Sequence, residues 1–332
     1  MKAILNRLIN YEQLDQQEAR DVLVAISEGQ HNHSQIAAFL TVFMMRPISL
    51  QELEGFRDAL LELCIAVPLE DYNTIDLCGT GGDGKNTFNV STLASFVTAG
   101  AGVQVTKHGN YGVSSISGSS NVMEHLGIAF SNDSDYLKRC LDEAGICVLH
   151  APLFHPAMKE VGPIRRQLGV KTFFNMLGPM VNPAFPKNQM VGVFNLELAR
   201  LYAYLYQKGN KNYSIVHALD GYDEISLTGT AKVISNHQER ILSPEHLGLG
   251  QVKAEAIFGG DTVAEAANIF MDVLNGNGSK AQNEVVCANA GLAIATASKT
   301  DLKPSVERAM ESLKSGAALE KFKKLQDLSK SA

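Results

Sequence analysis

The segment Gly79-Thr80-Gly81-Gly82-Asp83-Gly84-Lys85-Asn86-Thr87 follows a strand-like run and precedes a helix, the position at which open α/β sheets bind phosphate. Gly79, Gly81 and Gly84 fit the dinucleotide pattern G-x-G-x-x-G, yet a polar stretch delays the helix, and Lys107 and His108 stand where an acidic ribose ligand belongs. The first seven positions of the nucleoside-triphosphate loop are also present, but Asn86 replaces the hydroxyl that should bind magnesium. Asp83 adds a carboxylate inside the loop. Placed about 4 Å from a phosphate charge it costs ~1 to 4 kcal/mol, more than a helix N-terminus returns, so it needs a ribose hydroxyl or an ion as partner. A tight turn without ligand is the plain alternative.

Further groups converge on the same end of the sheet. Asn89-Val90-Ser91-Thr92 opens the next helix with three side chains able to cap its amides or bind a metal or phosphate oxygen. After the following strand come Lys107-His108-Gly109-Asn110 and Ser114-Ser115-Ile116-Ser117-Gly118-Ser119-Ser120, so two strand ends present glycine, hydroxyl and amide groups to one crevice. Asp223 and Glu224 are adjacent carboxylates after a strand, in a loop where Asp220 and Asp223 flank Gly221. Such oxygens suit a hard cation, although adjacent acids also occur as plain solvated surface. Arg165 and Arg166 follow Pro163 on a helix; either is a surface residue or a rigid fork for a planar carboxylate. The unperturbed pKa of a histidine suits a general base, but His108 is read as shaping its loop, and Lys107 as a point charge near phosphate.

These residues need elements to hold them. Helical spacing recurs at Leu14–Ile26, Ser34–Met45 and Ser49–Ala66, with Ser34 and Ser49 as expected N-caps and Glu52 completing a capping box with Ser49. Pro68 ends this helical part. Strands are expected at Thr74–Cys78, Val103–Thr106, Ile146–Leu149, Met190–Phe194 and Tyr213–Ala218, and helices at Thr92–Ala101, Ser134–Ala144 and Leu196–Gln207. His155–Val181 reads as interrupted helix that packs back on the N-terminal helices, and Ala281–Leu328 as mostly helical with a break at Gly316. The expected fold is α/β: a small all-helical domain, residues 1–70 joined by helices from about 156–185, plus a larger α/β domain, 71–155 and 186–332, with a largely parallel central sheet flanked by helices.

The 332 residues suit two domains, and 45% hydrophobic content with ordinary glycine and proline excludes disorder and collagen. A net charge of −6 gives no basis for non-specific nucleic-acid binding. The longest apolar run, Ile36–Met45, is too short to span a bilayer. The start of the chain lacks a signal-peptide core, so a cytoplasmic protein is expected. Five cysteines without a Cys-x-x-Cys pair read as reduced core residues.

Taken in order, G-T-G-G-D at Gly79–Asp83, N-V-S-T at Asn89–Thr92, K-H-G-N at Lys107–Asn110, S-G-S at Ser117–Ser119, H-P-A-M and P-I-R within His155–Arg165, F-N-M-L-G-P at Phe174–Pro179 and the acidic pair at Asp223-Glu224 resemble the anthranilate phosphoribosyltransferase family over nearly the full length. The resemblance implies a helical domain plus an α/β domain, a homodimer through the helical parts, and magnesium. It implies 5-phosphoribosyl-1-pyrophosphate against Gly79, Gly82, Asp83, Thr87, Asn89, Val90, Ser91, Thr92, Lys107, His108, Gly109, Asn110, Ser114, Ser115 and Ser119. It also implies magnesium on Ser91, Asp223 and Glu224, and anthranilate against Gly79, Asn110 and Arg165. The family most often carries basic residues where this chain has Tyr111 and Ile116, and an acid at Asn121.

The implied reaction joins the amine of anthranilate to C1 of the phosphoribosyl group and displaces pyrophosphate, with no covalent nucleophile on the protein; catalysis is electrostatic and positional. Two alternatives stand beside it. A pyrimidine nucleoside phosphorylase would carry K-H-S-T-G-G where this chain reads Lys107-His108-Gly109-Asn110, and a non-catalytic phosphoribosyl-binding paralogue would bind without turnover.

Overall fold

The computed structural model describes residues 1–112 and 117–331. Ser114, Ser115 and Ile116 lie outside the described residues. In chain order the elements are α1 (Lys2–Ile9), α2 (Gln16–Ser27), α3 (His33–Met45), α4 (Leu50–Glu62), β1 (Ile75–Gly79), α5 (Val90–Gly100), β2 (Val105–Gly109), α6 (Ser119–His125), α7 (Ser134–Ala144) and β3 (Ile146–His150). They continue with α8 (Ala151–Phe154), α9 (Met158–Leu168), α10 (Phe174–Leu177), β4 (Asn188–Gly192), α11 (Leu196–Gln207), β5 (Asn212–Ala218), β6 (Ala231–Ser235) and β7 (Glu239–Leu242). Last come α12 (Val263–Leu274), α13 (Lys280–Ser298), α14 (Leu302–Lys314) and α15 (Ala317–Ser329). Two compact units result: Met1–Ala66 with Ala151–Pro183, and Val67–His150 with Ala184–Ala332.

The first unit is all helix. Asp15, Asn32 and Ser49 each accept from the amide three residues on, and Glu18, Gln35 and Glu52 return the bond, so three capping boxes start α2, α3 and α4. Asn32, not the expected Ser34, caps α3, because only from Asn32 does a glutamine fall at the reciprocal position. The apolar stripes meet in an aromatic core of Phe39, Phe43, Phe56 and Phe173, with Phe56 and Phe173 stacked at 4.4 Å. Phe173 thereby ties the second chain segment to the first. Beneath this core Glu52 is buried and accepts both Nη atoms of Arg46, at 3.0 and 2.5 Å, together with the amides of Leu14 at 3.0 Å and Ser49 at 2.9 Å.

The second unit is built on one seven-stranded sheet among the described residues, in the order β3-β2-β1-β4-β5-β6-β7. The first five strands are parallel; β6 and β7 add antiparallel at one edge. That edge pair departs from the sequence expectation, since Glu239-Arg240-Ile241-Leu242 alternates around polar residues and carries no buried run. The strands β1, β2 and β4 also begin at Ile75, Val105 and Asn188, one or two residues from where they were expected. Because β1 has β2 on one side and β4 on the other, the loops at its carboxyl end diverge and open the crevice where such sheets bind ligands. The helix α13, with eleven buried residues, forms part of the packing behind the sheet.

Candidate active site

Strand β1 delivers Gly79, and the loop beyond it turns through Gly81, Gly82 and Gly84 at φ +62°, +81° and +74°, backbone that side chains with a Cβ rarely adopt. Gly81 donates its amide to Oδ2 of Asp223 at 2.7 Å, which draws the acidic loop after β5 onto the glycine loop. A Cβ at Gly79 would land on the Asp223 carboxylate, and one at Gly192, the last residue of β4, would land on the Asp223 carbonyl. Gly192 is therefore a site residue the sequence reading missed; its signal is a glycine closing an otherwise apolar strand. We expect Gly192→Ala to remove most activity, because the loop bearing Asp223 must shift. Near wild-type turnover with an unchanged metal requirement would remove Gly192 from this role.

Three carboxylates gather here. Burial and the neighbouring Asp83 charge raise the Asp223 carboxyl above its ordinary value, and burial and Asp223 raise Glu224 further, opposed by a hydrogen bond from the Thr87 hydroxyl. Oε1 of Glu224 is buried without a hydrogen-bond partner. Like charges held together are relieved by a proton or by a cation, and hard oxygen donors suit magnesium. Asp223 and Glu224 are thus donors of the kind that metal takes. Asp83 accepts the Lys85 amide at 3.0 Å, and Asp220 is engaged by the hydroxyl of Thr228. The ammonium of Lys85 lies 4.7 Å from the ring centroid of Tyr222.

Helix α5 starts without a side-chain cap, so of the two roles the sequence offers these side chains, capping is not taken. Asn89 instead donates from Nδ2 to the Ser117 carbonyl at 3.2 Å, joining the two loops, and the Val90 amide turns back to Phe88. Val90 and Thr92 bury their side chains and the Val90 amide is already engaged, so Thr92 can serve an anion only through its backbone, whereas Ser91 is half-exposed. The first turn of an uncapped helix carries amides with no acceptor of its own, which suits phosphate.

Lys107 differs from the point charge expected at a phosphate. It is buried, its ammonium donates to the Leu77 carbonyl at 2.8 Å, and burial lowers its pKa from the ordinary value. The His108 amide donates to Asp76, a buried carboxylate that also accepts Gln189. Gly109 lies so close to Ser119 that a Cβ would meet its hydroxyl, and the Asn110 carbonyl accepts Ser120 N and Ser119 Oγ at 3.2 and 3.3 Å. Oδ1 of Asn121 accepts the amides of Gly112 and Gly118 at 2.9 and 3.0 Å; an amide oxygen here does what a carboxylate would. Tyr111 donates to Glu124 at 3.3 Å and sets its ring edge-on to His150.

In the helical unit Arg165 sits at the end of α9, and Arg166 beside it is exposed. Burial alone pushes the Arg165 guanidinium down to about 10, and among the described residues no carboxylate pairs with it. A desolvated cation without a counter-charge is suited to an anionic ligand.

Comparisons with known proteins establish the family and the fold. Residues 2–64 match the helical bundle domain of the glycosyl transferase family, and residues 71–319 its a/b domain. Anthranilate phosphoribosyltransferase of Flavobacterium johnsoniae is 66% identical over 329 residues, 99% of this chain and all of the relative. That of Bacteroides thetaiotaomicron is 49% identical over 329 residues, 99% of each chain. The crystal structure of the Thermus thermophilus enzyme superposes with a TM-score of 0.91 at 33% identity, covering 98% of this chain and 99% of that one. The Saccharomyces cerevisiae enzyme, solved in complex with 5-phosphoribosyl-1-pyrophosphate and magnesium, gives 0.90 at 27% identity over 99% of this chain and 97% of that one. The chain belongs to the anthranilate phosphoribosyltransferase family.

Proposed function

We propose that the chain transfers the phosphoribosyl group of 5-phosphoribosyl-1-pyrophosphate to the amine of anthranilate, giving N-(5-phosphoribosyl)anthranilate and pyrophosphate in tryptophan biosynthesis. The observation that carries this reading is the carboxylate cluster of Asp83, Asp223 and Glu224 at the glycine loop, whose mutual proximity a bound cation would relieve and which so suits a pyrophosphate that travels with one. Family membership at 66% identity supports it.

Anthranilate supplies a neutral nitrogen lone pair, which forms the bond to C1 as the bond to pyrophosphate breaks; the nitrogen then loses its proton to solvent. Asp223 and Glu224, with Ser91, are assigned the magnesium ion, which when bound neutralises charge developing on the departing pyrophosphate. Gly79, Gly82, Asp83, Thr87, the α5 start from Asn89 to Thr92, the stretch Lys107–Asn110 and Ser119 are assigned the phosphoribosyl pyrophosphate. For Lys107 this role runs through the backbone and through the local field of its buried ammonium. Ser114 and Ser115 keep the role the resemblance implies. Gly79, Asn110 and Arg165 are assigned anthranilate, with Arg165 bonding its carboxylate.

Two properties of the assembly are proposed with it. Exposed Ile9, Tyr11, Met44 and Met45 on the helical unit support a homodimer formed through that unit. Five free cysteines support a reducing, cytoplasmic setting.

For Arg165→Ala we expect KM for anthranilate to rise by about tenfold or more, the loss of a charge-assisted bond, with KM for phosphoribosyl pyrophosphate unchanged. An unchanged KM for anthranilate would take Arg165 out of the acceptor site. Pyrophosphate release that requires anthranilate tests the reaction itself, and release of the free base from a pyrimidine nucleoside in the presence of phosphate would favour the phosphorylase alternative.

A further inference from the structure

Arg165 is held by groups outside its own helix. Its Nη2 donates to Oδ1 of Asn175 at 3.1 Å, and the same oxygen accepts the Thr172 amide at 3.2 Å. The guanidinium carbon lies 5.3 Å from the ring centroid of Phe174, whose side chain is buried. The Asn175 oxygen is thus pinned by the backbone at the start of α10, and one corner of the guanidinium is pinned to it, with a ring against one face. A long, flexible side chain is thereby fixed before any ligand arrives, which lowers the ordering cost of binding.

The chemistry of the pinning group matters as much as its place. The amide oxygen accepts one N–H of the guanidinium beside that of Thr172 and leaves the positive charge of Arg165 uncompensated. A carboxylate in the same position would form an ion pair with the fork and compete with an incoming carboxylate. Burial of the guanidinium without a carboxylate partner among the described residues agrees with a charge kept for a ligand.

We propose that Asn175 is a positioning and specificity-determining residue of the acceptor subsite: it aims the Arg165 guanidinium and, by being neutral, keeps that charge for the carboxylate of the aromatic amine. The proposal rests on the reading that Arg165 takes this carboxylate.

The test uses the full-length enzyme and measures KM for anthranilate beside the inhibition constant of 2-aminobenzamide, which has the same ring and amine but no charge. Asn175→Asp keeps the acceptor for the Thr172 amide, so the turn is preserved while the charge changes. In this variant we expect KM for anthranilate to rise by about tenfold or more and the 2-aminobenzamide constant to move by less than about twofold. Asn175→Ala should raise KM for anthranilate by about fivefold and leave KM for phosphoribosyl pyrophosphate unchanged, a split that general damage to the fold would not produce.

Parallel changes for the charged and uncharged rings in Asn175→Asp, or no change in either, would overturn the proposal. If Arg165→Ala raises KM for anthranilate and leaves the 2-aminobenzamide constant in place, the acceptor reading survives that failure. If Arg165→Ala loses both rings equally or neither, the acceptor reading itself fails and the proposal falls with it. Should Asn175→Asp not fold, Asn175→Ala decides alone, and equal rises in both KM values overturn the role of Asn175.

Discussion

Replacing Asp223 by Asn together with Glu224 by Gln is expected to lower kcat by about a thousandfold or more and to leave the residual rate insensitive to magnesium, on the scale seen when groups stabilising transition-state charge are removed. The amides keep the shape of both side chains and the Gly81 amide keeps an oxygen acceptor, so the loss reports charge. Stability separates the two effects further. Burial raises both carboxyls, with repulsion from Asp83 on Asp223 and from Asp223 on Glu224, so in magnesium-free buffer the double variant should unfold at a temperature equal to or above that of the parent. Loss of activity with that thermal behaviour means that a metal site was removed. Unchanged turnover with an unchanged magnesium requirement would refute the assignment.

Glu52→Ala is expected to destabilise the helical unit by about 3 to 5 kcal/mol, the range for removing one partner of a buried ion pair. Arg46 would be left as a buried, unpaired cation, and the amides of Leu14 and Ser49 would lose their acceptor. Burial alone would push the Glu52 carboxyl up, but hydrogen bonds from Arg46, Leu14 and Ser49 outweigh it and hold the carboxyl below its ordinary value of 4.5. The sign follows from that depression. The stabilisation is fully present above the unfolded value and is lost as pH falls through the lower folded one. Denaturant unfolding of parent and variant should therefore differ most near neutrality and converge in acid. A difference below about 1 kcal/mol at pH 7 would place this network among weak surface pairs.

Where a helix has both a strong stripe and clear ends, the sequence was readable to the residue. Helix α7 runs from Ser134 to Ala144 as expected, capped by Asp133 and closed by Gly145 at φ +73°, and α11 runs from Leu196 to Gln207 behind Asn195. Helix α1 was not expected, since it is eight residues long and has no side-chain cap. For α3 two capping residues stood within reach, and the reciprocal Gln35 decided in favour of Asn32. The hairpin β6–β7 escaped because an edge strand tolerates polar residues on its open side. The site was legible as far as residue type carries chemistry, as in the adjacent acids Asp223 and Glu224 and in the glycine loop. What could not be read is what depends on distant chain: the approach of Asp223 to Gly192, the turn of the Lys107 ammonium to Leu77, and the hold of Asn175 on Arg165.

The central claim meets its most direct test in the light emitted by anthranilate, because the chain contains no Trp to obscure it. Protein, anthranilate, 5-phosphoribosyl-1-pyrophosphate and magnesium are mixed, and the emission is followed beside four controls that each omit one component. We expect decay only in the complete mixture, with one pyrophosphate released for each anthranilate consumed. Steady emission in the complete mixture from folded protein would contradict the account and leave a protein that binds phosphoribosyl ligands without turning them over.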